Sequence, residues 1–200
     1  PYWQVFDAIM FEGALGESWS QETWGNFQYV MDTYKMCTDA CRAAKFVIFH
    51  VVYPLSGGYS YQRYGYTASL MCDGMSYEID QDVATCYAMI MLDEYNFTLG
   101  TAIGPQQTAP TYFGTSNGEG IWIREFQFGY AICAARRSSG GSAWNVVNGD
   151  QTTPYANFSL PVKTQRLSGT QDPTTNNGAV ILAGAAISIK PRDGLILKKI

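Results

Sequence analysis

Glu12 closes an apolar run, Val5-Phe6-Asp7-Ala8-Ile9-Met10-Phe11, and is followed at once by Gly13. A carboxyl group at the end of a buried strand, next to a glycine that lets a ligand approach, is set up for acid–base or nucleophilic chemistry. Phe11 and Trp19 predict apolar surroundings for it, which suit proton donation. Glu78 and Asp80 lie at the end of another short strand run, Met75 to Ile79, and form a second carboxylate pair. Asp7 lies inside the first run and reads equally well as a polar group of the site or as a buried structural residue. Paired carboxyl groups are the equipment for breaking a glycosidic bond. One protonates the leaving oxygen, and the other attacks the sugar or activates a water. The expected catalytic residues are therefore Glu12, Asp7 and Glu78. Trp19, Tyr53 and Asp80 fall near predicted strand ends and are the expected substrate contacts, because sugar rings stack their C–H faces on aromatic rings. Core packing is the default for the other aromatics.

Other chemistries find little support. His50 is the one histidine and sits inside an apolar strand, where a hydrogen-bonded core residue is expected. Cys37 and Cys41 are four apart, but no Cys-x-x-Cys occurs, and neither a metal nor a cofactor is expected. Cys72 and Cys86 are spaced so that a bridge is conceivable. No G-x-S-x-G, P-loop or G-x-G-x-x-G is present, and Ser138–Ser142 reads as a flexible loop. The net charge is −4, and basic residues cluster only at Arg136-Arg137 and Lys198-Lys199, so no nucleic-acid partner is expected. No apolar run reaches the length of a membrane helix. Charged residues make up 15% of the chain, against roughly 25% in ordinary soluble domains. That balance, with Gly, Ser, Thr, Asn and Tyr in their place, predicts a secreted, sugar-facing protein. Asn96-Phe97-Thr98 and Asn157-Phe158-Ser159 make Asn96 and Asn157 the expected glycan acceptors.

The elements that must position these residues change character along the chain. Short apolar runs alternate with helical stretches first: a strand to Phe11, a helix from Ser20 to Arg42, a strand Phe46–Tyr53, a helix Tyr61–Cys72, and a strand from Met75. This order predicts parallel βαβ units. After Gly104-Pro105 helical periodicity disappears. A hairpin over Gly120–Ala135 and short strands up to Leu195–Lys198 predict an antiparallel β-sandwich. The expected fold is thus α/β followed by all-β. Residues 1–105 would form about the last three units of a (β/α)8 barrel, and 106–200 a C-terminal antiparallel β-domain. The first strand begins almost at Pro1, so further barrel strands are expected upstream or from another chain.

Several blocks resemble the glycoside hydrolases called glycosyl-hydrolase-like family 15. They are Phe6–Gly13 with its Phe11-Glu12-Gly13, Arg63–Leu70, Asp93–Pro105, Ile121–Phe126 followed by Gly129-Tyr130-Ala131, Leu167–Pro173 with its Gly169-Thr170-Gln171-Asp172-Pro173, and Lys190–Leu197. They cover most of the chain in order. Ala8 stands where the family has glycine, and Cys133–Arg136 replaces its Leu-Val-Asn-Pro. The resemblance implies a barrel glycosidase with a C-terminal β-domain that acts on or binds a poly- or oligosaccharide. The alternative is a non-catalytic secreted glycoprotein that binds sugar, self-assembles, or meets a chain supplying the missing strands.

Overall fold

A computed structural model of the chain describes residues 7–16, 20–41, 46–52, 58–73, 75–80, 91–104, 118–142 and 145–200; for 75–80, 139–142, 145–148 and 157 it describes the backbone alone. Trp19, Tyr53 and Cys86 lie outside the described residues.

Three parallel strands come first: β1 (Ala8–Gly16), β2 (Phe46–Val52) and β3 (Met75–Asp80). They alternate with α1 (Gln21–Ala40) and α2 (Gly58–Ser69) and pair in the order β1-β2-β3. Alternate residues of the strands, Phe11, Val47, Phe49 and Val51, are buried, as the two-residue period of a strand requires. Phe27, Val30, Met31 and Tyr34 form the buried stripe of α1. The Tyr34 ring meets Phe49 at 4.9 Å, and its hydroxyl donates to the Ser69 carbonyl at 2.9 Å. Trp24 is exposed. The backbone leaves helical conformation at Asn26 (φ 70, ψ 173), which re-phases the first turns and buries Glu22 instead.

The remaining strands are β4 (Ile121–Glu125), β5 (Gly129–Ala134), β6 (Ser138–Ser142), β7 (Asn145–Asn148), β8 (Tyr155–Phe158), β9 (Thr164–Arg166), β10 (Val180–Ile181), β11 (Ile187–Ile189) and β12 (Asp193–Lys199). Five of them form an antiparallel sheet in the order β10-β9-β12-β5-β4; β8 pairs with β11, and β6 with β7. Ser138–Ser142 is therefore a strand and not the expected loop. The Glu119 carboxylate accepts from the Ser138 N–H at 2.9 Å and from its hydroxyl, anchoring the start of that strand.

The expected barrel portion is corrected by this architecture. The described residues hold two α-helices against twelve strands, and the largest sheet is antiparallel. In a (β/α)8 barrel the helices form an outer ring. Here α2 packs against β3 and also against β5 and β12 of the antiparallel sheet. Seven of its twelve residues are buried, Gln62, Arg63 and Thr67 among them. Gly194 makes that approach close, since a Cβ there would run into the Arg63 carbonyl and the Thr67 side chain. One face of the antiparallel sheet, with Trp122, Cys133 and Ile196, joins the core of the parallel strands and helices. Its other face, with Ile123, Ile132 and Leu197, packs on Phe158 and Ile187 of the β8–β11 ribbon. The first core thus draws on both sides of the boundary expected near residue 105. An alternation of strands and helices looks the same in sequence whether the sheet closes or stays open, so the barrel was not distinguishable there.

Cys37, Cys41 and Cys133 are free thiols. Burial pushes the Cys72 thiol up to about 12; Cys86, the partner considered for it, lies outside the described residues. No helix among the described residues is long and apolar enough to cross a membrane.

Candidate active site on the parallel sheet

The opening strand is irregular where Glu12 sits. Phe11 pairs with Phe49, and the next pair is Leu15 with Val51, so three residues of β1 (Glu12, Gly13 and Ala14) stand against His50 alone. Gly13 takes φ 55, a left-handed conformation that costs glycine nothing. Its N–H donates to His50 Nδ1 at 3.0 Å. An accepting Nδ1 leaves the ring proton on Nε2, and the imidazole, 8% exposed, is held in one orientation. Bulges of this kind re-aim a side chain and are common beside active sites. Glu12 is exposed, on the face of the sheet turned away from α1, together with exposed Met10 and Phe46.

Register gathers the other candidates. His50 pairs with Glu78, Val52 pairs with Asp80, and Gly16 pairs with Val52. Glu12, Glu78 and Asp80 therefore belong to the half of the sheet that ends in the strand C-termini, where open α/β sheets bind ligands. β1 and β3 flank β2, which puts their backbones about 9.6 Å apart, two inter-strand spacings. Asp7 is not part of this group. It is exposed, its carbonyl accepts from the Phe46 N–H at 3.1 Å, and it lies roughly 16 Å along the strand from Glu12. Asn96 is exposed at the end of a 3-10 turn (Asp93–Asn96). Asn157 lies within β8.

Two charged centres escaped the sequence reading. Glu22 is fully buried, with Arg192 Nε at 3.4 Å and Arg136 Nε at 3.8 Å. Burial raises its pKa, against the pull of Arg192, Arg136 and the Gly16 N–H. In sequence it is only an acidic residue in a first helical turn, placed to complement the dipole, and nothing there marks it as buried.

The second centre is Arg63. Its side chain is 2% exposed and meets three carboxylates: Asp193 (Nε–Oδ1 2.9 Å, Nη2–Oδ2 3.1 Å), Asp172 (Nη1–Oδ2 2.8 Å) and Glu94 (3.8 Å). Glu94 also accepts from Asn176 Nδ2 at 2.9 Å. Asp93 accepts from the Thr170 and Gln171 N–H groups at 2.8 and 3.0 Å. No family model, curated protein or solved structure matches this chain. Four stretches distant in sequence meet around Arg63: its own, Asp93-Glu94, Gly169–Asp172 and Asp193-Gly194. These residues tie α2 to the antiparallel sheet. No group of three or more residues suited to holding a metal occurs among the described residues.

Proposed function

We propose that the chain is a secreted, glycoside-hydrolase-like protein that acts on or binds polysaccharide at the open face of the parallel sheet. The observation that carries this reading is the bulge that fixes Glu12 opposite His50. In the reaction Glu12 protonates the leaving glycosidic oxygen, and Glu78 on β3 is the second carboxylate. Trp19, Tyr53 and Asp80 supply the remaining substrate contacts. Exposed Asn96 is an acceptor for a glycan in a secretory pathway.

Glu12→Gln keeps the shape of the side chain and removes its proton chemistry. Turnover of aryl glycosides or polysaccharides should fall at least 100-fold, the lower end for general acid–base catalysis, while glycan binding persists. Full turnover by the variant would remove Glu12 from the mechanism.

One observation favours a second reading, sugar binding or assembly without turnover. Glu12 is exposed, whereas a general acid works best in a dry setting. β1 and β3 are also the edges of their sheet among the described residues, and edges template pairing with another chain. Glycan binding by wild type with no hydrolysis of any substrate, together with concentration-dependent oligomers, would establish this reading over the first.

A further inference from the structure

A cavity of about 410 Å³ opens between the start of α2, β9, β11 and the Asp172–Thr175 loop. Its size falls within the range of small-molecule sites, about 300–1,000 Å³. The charges on its wall are unevenly satisfied. Arg63 is engaged by both Asp193 and Asp172, with Glu94 behind it and outside the lining, so the lining carries three cations against two carboxylates that already share one of them. Arg166 has no such partner. Its Nη1 donates to the Thr175 carbonyl at 3.2 Å, and no carboxylate lies within ion-pair distance among the described residues. The side chain is half-buried. Burial lowers its pKa, Asp193 opposes that, and the neighbouring Arg63 adds to it. Lys190 lines the same cavity and, among the described residues, likewise has no carboxylate at ion-pair distance.

The wall thus offers two uncommitted cations beside the hydroxyls of Ser60, Thr174 and Ser188, with Ile189 and Pro154 as apolar surface. A guanidinium with its fork unfilled selects a carboxylate or similar planar anion. Hydroxyls and a small apolar patch select a polyol ring with one C–H face. We propose that this cavity binds an acidic sugar, a hexuronate unit, with its carboxylate on Arg166 and Lys190. The choice of a sugar rests on the function proposed above; the anion preference rests on the cavity alone.

Calorimetric titration of the full chain tests it with galacturonate, tri-galacturonate, neutral galactotriose and acetate. Acidic sugars should bind at least tenfold more tightly than galactotriose and acetate. A trimer stronger than the monomer would point to a polysaccharide as the source of the unit, and equal affinities to free uronate. Arg166→Gln and the exposed Lys190→Gln should each weaken binding at least threefold, and Glu12→Gln should leave it unchanged. Loss of turnover without loss of this binding, or the reverse, separates the two sites. Equal affinity for acidic and neutral sugars, acetate binding as tight as galacturonate, no binding at all, or wild-type affinity in both cavity variants would each overturn the proposal.

Discussion

Arg63→Met should destabilise the chain by about 3–5 kcal/mol, the cost of removing one partner from a buried ion pair. Met matches the length of the alkyl stem, so packing is largely kept and the loss reports the charge. Three carboxylates then lose their cation together. Asp193, 13% exposed at the side chain, is the most affected, because both of its oxygens face the guanidinium. The pH dependence has a definite sign. Burial works to raise the Asp172 carboxyl, but the Thr174 hydroxyl and Arg63 outweigh it and hold it at about 2. A carboxylate depressed in the folded state stabilises the fold above its unfolded pKa, about 3.9. That contribution fades as pH falls from about 4 to about 2. In Arg63→Met the folded Asp172 carboxyl should titrate higher, so this contribution shrinks, while the pH at which it starts to fade, set by the unfolded carboxyl, stays at about 4. Asp193 is raised by burial against the pull of Arg63, so removal of Arg63 lifts it further and makes the variant relatively less impaired in acid. Urea unfolding at pH 7 and pH 4 reads both effects. A loss under about 1 kcal/mol at pH 7 would mean that the cluster is wet enough for water to replace the arginine.

The elements of this fold were more legible than their arrangement. The β4–β5 hairpin and β12 were legible as short apolar runs bounded by turn residues, because both faces of those strands are covered. The parallel strands also read as apolar runs. What the runs could not disclose was the partner of α2. A helix with Gln62, Arg63 and Thr67 on its buried surface looks half-solvated in sequence. Only the meeting of Arg63 with residues some 30 to 130 positions away makes it interior. Glu22 failed for a related reason: the break at Asn26 turns a first-turn acid inward, and no local pattern encodes that. At the candidate site, Glu12 was legible as a carboxylate after an apolar run. The Gly13–His50 hydrogen bond that defines its setting spans 37 residues, so sequence offered a lone core histidine and a glycine without their connection.

Trp122→Ala should cost about 3–5 kcal/mol, as truncation of a fully buried tryptophan does. The value of the variant lies in where the cavity falls. Trp122 belongs to β4, yet its ring packs edge-on against Phe27 of α1 at 5.3 Å, and Phe27 stacks on Tyr64 of α2 at 5.7 Å. Its Nε1–H donates to the Gly118 carbonyl at 2.8 Å, which truncation leaves without a donor. A residue shared by one continuous core destabilises everything that core holds. Unfolding followed by far-UV circular dichroism, which reads α1 and α2, should therefore coincide with unfolding followed by near-UV signals from the antiparallel sheet, in wild type and variant alike. Both transitions should move together to lower denaturant. Two separated transitions with only one displaced would show that residues 1–105 and 106–200 fold as independent units. In that case the Arg63 cluster would be a docking contact between them. Coincident transitions would make the open face of the parallel sheet and the acidic-sugar cavity parts of one cooperative body, so that a mutation destabilising one site lowers the population competent at the other.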